Sequence, residues 1–340
     1  MRVALTGYGL YRPDGRITGE EIAKESGIPE DVVREKMGIY EKRICPPEDD
    51  HVTDMCVKAG QEALEDADVE PEAVDLVLYH GSEYKDYVVW SAAAQIADRL
   101  GTENAYASEN HTLCASTPVA IRQTRAQLAA GDIDVALHVT ASREEDLVDY
   151  TDQDASFMFN FGSGGGAYVL ERGDDEKRSL ATIHESAAIS DGSFAEDVVM
   201  PAGGSRNPTS AETIEAGEHT LTVRDPDEMK ERMAPVSGPN FQAVADEALE
   251  RSGFERVDVD FVALTHMKRS FAESIADEFG LDLASGSYYL EEYGHVQSVD
   301  QILALDEGRQ CDRVEPGDLV LFLAAGTGYT WSATVLEWHG

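Results

Sequence analysis

One phrase is written twice in this 340-residue chain: Val74-Asp75-Leu76-Val77-Leu78-Tyr79 and Val259-Asp260-Phe261-Val262-Ala263-Leu264-Thr265. Both are nearly all apolar, as a strand buried on two faces requires. Their surroundings repeat as well. A helical pattern precedes each, at 53–66 and 240–252. In the first, Met55, Ala59, Ala63 and Leu64 share a face, and Thr53 reads as its cap. A second helical pattern follows each, at 90–100 and 271–279. The stretch 287–295 then answers 105–114. A strand pair with a glycine turn, 319–338, answers 157–170, which reads as strand, turn and strand around Gly162-Ser163-Gly164-Gly165-Gly166. A period of half the chain is far longer than a solenoid unit. It predicts two similar α/β halves packed as one body. The division falls at 1–172 and 240–340, with 173–239 as a loop-rich insertion of loops and short strands. Short helices are expected at 18–23 and 29–36, the second opening at Pro29 and ending before Gly38.

Duplication has a chemical consequence. If a pseudo-twofold axis relates the halves, corresponding turns meet near it. Cys114 and His295 occupy corresponding turns. His266 ends the buried strand of the second half, as His80 ends that of the first. Three reactive side chains distant in sequence are therefore expected to converge. Cys114 itself sits in Glu109-Asn110-His111-Thr112-Leu113-Cys114-Ala115-Ser116-Thr117-Pro118, between a strand-like run (105–108) and a helix-like run (119–130) stopped by Gly131. Free N–H groups and the positive end of a helix dipole favour a thiolate there. The thiolate is the nucleophilic form. The bland alternative is a small buried cysteine.

The remaining cysteines, Cys45, Cys56 and Cys311, show no paired spacing, so neither a disulfide frame nor a metal site is expected. His80, His111 and His138 are scattered singly and read as ordinary. The glycines at 164–166 read as a tight turn rather than a phosphate cradle, since no helix opens directly after them. Trp331 and Trp338 read as core.

Charge excludes one class of partner. The net charge is −39, with only eight lysines. Nucleic-acid binding needs a basic surface, so none is expected. The acid is spread along the chain rather than gathered in a tail. A solvating coat for high salt fits that spread, because screening relieves self-repulsion; a halophilic source is expected. The longest apolar run, 319–325, is far short of a membrane span. The first apolar stretch is too short for a signal peptide. A cytoplasmic protein is expected.

With these residues in place, the chain resembles the thiolase superfamily, most closely its β-ketoacyl-acyl-carrier-protein synthase III branch. The resemblance runs nearly end to end. It rests on Glu35-Lys36-Met37-Gly38-Ile39-Tyr40-Glu41-Lys42-Arg43, the Cys114 turn, and Tyr150-Thr151-Asp152 followed by Phe161-Gly162-Ser163-Gly164-Gly165-Gly166-Ala167. The second half adds Thr265-His266, Tyr293-Gly294-His295 and Gly326-Thr327-Gly328-Tyr329-Thr330-Trp331.

The resemblance implies a duplicated α-β-α-β-α layered fold with mixed five-stranded sheets. It implies that Cys114 takes an acyl group from a thioester, and that His266 and His295 bind the thioester oxygen or assist the second half-reaction. The backbone N–H groups of Cys114 and Thr327 would form the oxyanion hole, each fixed donor contributing ~3 kcal/mol. No cofactor is implied beyond the CoA or carrier-protein thioester substrates, and a homodimer is. The branch usually has Asn where this chain has His295, Trp where it has Val32, and Arg where it has Lys36. Its His-Gln-Ala-Asn is replaced by His266-Met267-Lys268-Arg269. Lys36 and Trp90 are expected to bind substrate; Trp90 reads either as core or as lining an acyl tunnel, with the tunnel favoured. Glu83, in Gly81-Ser82-Glu83-Tyr84, stands where the related hydroxymethylglutaryl-CoA synthases place a catalytic glutamate. A condensing enzyme of that kind or a thiolase using Glu83 is one alternative. A non-catalytic subunit of a thiolase complex is the other.

Overall fold

The computed structural model describes residues 2–48, 50–173 and 179–340. The first half supplies β1 (Val3–Tyr11), β2 (Leu76–His80), β3 (Tyr106–Asn110), β4 (Val135–Ser142) and β5 (Gly164–Arg172). The second supplies β6 (Ala181–Ser190), β7 (Phe261–Leu264), β8 (Leu319–Gly326) and β9 (Thr330–Trp338). They form one mixed sheet in the order β3-β2-β4-β5-β1-β6-β9-β8-β7. Read outward from the seam, each half has the same order. At the far edge of the second half a single parallel bridge, Val262 to Ser287, stands where β3 pairs with β2 in the first. The repeated phrase thus becomes β2 and β7, equivalent strands.

The sheet is larger than the five strands expected of each half. At the seam β1 and β6 pair antiparallel through Val3–Ile183, Ala4–Thr182 and Leu5–Ala181. Two edges that would otherwise carry unpaired N–H and C=O groups satisfy each other.

Strand alternation sorts side chains into three cores. Val77 and Tyr79 of β2 face α1 (Val52–Ala67) and α2 (Ala92–Leu100), where they meet Met55, Ala59, Ala63 and Ile96. Leu76 and Leu78 point the other way, toward α3 (Ser116–Ala130). Val262 and Leu264 of β7 face α4 (Ser237–Ser252) and α5 (Arg269–Glu278), against Phe241, Leu249 and Ile275. Phe261 and Ala263 face inward, sharing a core with Ile121 of α3 and with Ile302 and Leu305 of α6 (Asp300–Gln310). The two halves of the sheet act as separate layers, giving helix, half-sheet, helix, half-sheet, helix, with α3 and α6 in the middle. Both central helices begin at the site described below.

Four local expectations are corrected. The cap of α1 is His51, in a capping box with Asp54, while the Thr53 hydroxyl turns to Asp86. The stretch 29–36 yields only one wide helical turn, Val32–Lys36. Gly164, Gly165 and Gly166 lie inside β5 rather than in a turn, because α1 and the 296–299 segment press on the strand there. A Cβ on Gly165 would lie 3.0 Å from Met55, and one on Gly166 3.1 Å from Val299. The segment 173–239, of which 174–178 lie outside the described residues, holds β6, a strand between β1 and β9. Its polar residues (Thr182, His184, Glu185, Ser186) hid it from an apolar-run criterion.

Candidate active site

Cys114 sits on a sharp bend between β3 and α3. The residue before it, Leu113, has φ of +52°, a conformation disfavoured for side chains with a Cβ. Neighbouring bonds hold the bend. The Leu113 N–H donates to the Gly81 carbonyl at 3.0 Å. The Leu113 carbonyl accepts from the hydroxyls of Ser116 (2.6 Å) and Ser298 (2.8 Å). Thr117 Oγ1 donates back to the Ser298 carbonyl at 2.6 Å. From the other side, Ser332 Oγ donates to the Ala115 carbonyl at 2.9 Å. Gly326, at the end of β8, lies against the bend. A Cβ there would sit 3.0 Å from the Cys114 nitrogen and 2.7 Å from the Thr112 oxygen.

His295 approaches from the second half. Its N–H donates to the Asn160 carbonyl (2.7 Å) and its carbonyl accepts from the Gly162 N–H (2.9 Å). Its Nε2 lies 3.0 Å from Cys114 Sγ, and its Nδ1 2.6 Å from Asp300 Oδ2. Asp300, the first residue of α6, is fully buried. The same carboxylate accepts the backbone N–H groups of Val296 and His266, both at 2.7 Å. Burial alone would lower the His295 pKa. The Asp300 carboxylate and the Cys114 sulfur outweigh it and hold that pKa well above the usual histidine range. The arrangement is a cysteine–histidine–aspartate relay built across the two halves.

His266 stands on the same carboxylate through its backbone. Its ring packs on Tyr289, centroids 4.4 Å apart. Burial pushes its pKa down to about 4, with Asp300 opposing. It is therefore a neutral imidazole at ordinary pH, and its buried Nδ1 has no hydrogen-bond partner among the described residues. Cys114, His295 and His266 thus converge on one carboxylate-centred cluster, as the duplication predicted.

The other expected residues lie differently. Glu83 points to solvent, its side chain 78% exposed, and pairs with His111 at 2.9 Å. Lys36 is exposed on the turn Val32–Lys36. Trp90 packs on the outer core of the first half, edge-on to Tyr87. Thr327 is half-buried, next to Gly326 and hence beside the Cys114 bend. His80 and His138, read as scattered, instead share a buried cluster with Tyr168, whose hydroxyl reaches both rings (3.3 and 3.0 Å).

Asp300 was missed from sequence. Among 66 acidic residues nothing in composition selects one. The available signal was its helix: Ile302, Leu303, Ala304 and Leu305 are apolar in succession, so that helix is buried all round and an acid in its first turn must be buried too.

Comparison with known proteins agrees with this architecture. A family profile described as 3-oxoacyl-(acyl-carrier-protein) synthase III matches residues 109–192, and one described as the C-terminal part of the same synthase matches 249–338. A β-ketoacyl-(acyl-carrier-protein) synthase III of Desulfitobacterium hafniense is 26% identical over 338 residues, covering 99% of this chain and 98% of its own. One of Chlamydia pneumoniae is 24% identical, covering 99% and 97%. Among solved structures, the 3-oxoacyl-(acyl-carrier-protein) synthase III of Aquifex aeolicus superposes with a TM-score of 0.82 at 22% identity, covering 99% of this chain and all of its own. An OleA structure from Xanthomonas campestris with bound lauric acid and lauroyl-CoA gives 0.82 at 18%, covering 99% of each chain.

Proposed function

Because the chain belongs to the 3-oxoacyl-(acyl-carrier-protein) synthase III family of thiolase-like proteins, we propose that it is an acyltransferase that condenses two thioesters through an acyl-cysteine. The observation that carries this is the 3.0 Å approach of His295 Nε2 to Cys114 Sγ, with Asp300 behind the imidazole.

In the first half-reaction the sulfur attacks the acyl-thioester carbonyl while His295 holds the thiol proton. The tetrahedral oxyanion is received by the backbone N–H groups of Cys114 and Thr327; the contact of Gly326 with the Cys114 bend supports that pairing. The C–S bond of the substrate breaks, and its thiol leaves with the proton from His295. In the second, another thioester gives an enolate, either by loss of CO2 from a malonyl thioester or by transfer of an acyl thioester's α-proton to His295, which gave up its proton in the first step; the enolate attacks the acyl-cysteine carbonyl. Neutral His266 donates one N–H to the enolate oxygen. A C–C bond forms, Cys114 is released as thiolate, and a 3-oxoacyl thioester is the product. The donor is a CoA or carrier-protein thioester, and no further cofactor takes part. Lys36 and Trp90 are assigned to substrate binding, Trp90 as part of the lining of an acyl tunnel. Glu83, facing solvent beside His111, takes no part.

Three further properties belong to this proposal. The protein is a homodimer: among the described residues β3 is an edge strand of the sheet, and in the loop that follows β2 Tyr87, Val88 and Val89 are 66%, 83% and 105% exposed. It works in the cytoplasm, and no described helix is long and apolar enough to cross a membrane. It is adapted to high salt, which its net charge supports.

Incubation with radiolabelled acyl-CoA followed by peptide mapping tests the chemistry. The label is expected on Cys114 and absent from Cys114→Ala. Label elsewhere, or none on the wild type, rejects the proposal.

A further inference from the structure

A second buried acid lies beside the relay, and no step above uses it. Glu144 follows β4 and is 4% exposed. One carboxyl oxygen meets the hydroxyl of Ser82, just beyond β2, and the other meets that of Ser142, the last residue of β4. Its own backbone N–H also reaches the carboxyl.

Counting hydrogens decides its state. Ser142 has one O–H and two acceptors: the Glu144 carboxyl and, at 3.0 Å, the Gly162 carbonyl. An ionised Glu144 would leave one acceptor without a donor. A protonated one satisfies both, by donating to Ser142 Oγ while Ser142 donates to Gly162. The rest of the chain then closes without conflict. Tyr84 N–H donates to Ser82 Oγ at 3.1 Å, and the Ser82 hydroxyl donates to Glu144. The Gly162 N–H donates to the His295 carbonyl at 2.9 Å. A line of hydrogen bonds therefore runs from the end of β2 through Glu144 to the backbone of His295.

We propose that Glu144 is held as a neutral carboxylic acid and acts as a positioning residue, fixing the His295 segment through Ser142 and Gly162. This rests on the Cys114–His295 reading above. Burial pushes its pKa up, against the two serines and the charge of His295. The titratable groups that sense it are His295 and the Tyr79 and Tyr84 hydroxyls. On its own segment Arg143 is engaged with Asp146 and the Cys45 carbonyl, while Glu145 interacts with Lys42. When Glu144 ionises at high pH, the Ser142 hydroxyl turns to it and Gly162 loses its donor. His295 is then less firmly held.

Glu144→Gln is the informative variant, because an amide accepts from Ser82, donates to Ser142 and never ionises. Infrared difference spectra of wild type and Glu144→Gln at neutral pH should show the C=O band of a protonated carboxyl in the wild type alone. Turnover of Glu144→Gln should stay within about twofold at neutral pH, with the alkaline decline of the wild type displaced or removed, whereas Glu144→Ala should lose about tenfold in kcat with little change in KM. Iodoacetamide labelling of Cys114 should follow the same pH contrast. Absence of the carboxyl band, or identical alkaline limbs in wild type and Glu144→Gln, overturns the proposal. If Cys114 takes no acyl label in the wild type, the underlying reaction is wrong instead, and the infrared band still reports on Glu144. Should Glu144→Ala fail to fold, the glutamine variant and the spectrum decide.

Discussion

The proton between Cys114 and His295 is governed by a side chain that touches neither the sulfur nor a substrate. Asp300 fixes the imidazole tautomer through Nδ1 and is itself fixed by two backbone N–H groups. Asp300→Asn keeps the shape and removes the charge, so the imidazolium loses its partner. Its acylation rate is expected to fall about 10⁴-fold, as loss of the aspartate behind a triad histidine does, measured by single-turnover acylation of Cys114. His266 gives a pH prediction with a definite sign. Its folded pKa, about 4, lies below the ordinary 6.5. Between those values the unfolded chain binds a proton that the folded one does not. The histidine's contribution to stability is therefore present above pH 6.5 and lost as pH falls toward about 4. Denaturant unfolding of wild type and His266→Gln across that window should show the wild type losing ground as the medium is acidified. A difference that does not change with pH would contradict it.

At the scale of elements, two glycines set how closely layers approach. Gly326 ends β8 against the Cys114 bend, and every near neighbour of an added Cβ is backbone, which cannot swing aside. Gly326→Ala should cost about 2 kcal/mol and shift the bend. Acylation should then fall while circular dichroism stays native. Gly9 of β1 faces α1, where a Cβ would strike the Ala59 carbonyl and the Ala63 nitrogen. Gly9→Ala should cost ~3 kcal/mol or more and lower the unfolding midpoint. Its Cys114 labelling should be unaltered below that midpoint, since α1 packs on the outer face, away from the central helices. The contrast separates a glycine that shapes the site from one that only supports the sheet.

For the whole molecule, the net charge of −39 dominates. Like charges repel over about 10 Å at 0.1 M salt and only about 3 Å at 1 M. The unfolding midpoint should therefore climb as KCl is raised through that range, beyond what a near-neutral protein shows. A flat response would remove the high-salt reading. The individual surface ion pairs are too weakly coupled to offset the repulsion. Sedimentation at high salt should show a dimer, and charged substitutions at Val88 and Val89 should shift it toward monomer.

Much of this organisation was legible in the chain itself. The repeated apolar phrase fixed β2 and β7, because a strand buried on both faces has few other ways to be written. The duplication placed Cys114, His266 and His295 together, because equivalent turns of equivalent halves meet at their axis. Tertiary structure decided the rest. Polar β6 became a central strand because β1 and β9 both offered it hydrogen-bonding edges. Glycines 164–166 became a strand because α1 on one side and the 296–299 segment on the other press on them. Asp300 and Glu144 were two acids among sixty-six until packing buried them. What singles out a carboxyl is the solvent it loses and the donors it gains, and both come from residues remote in sequence.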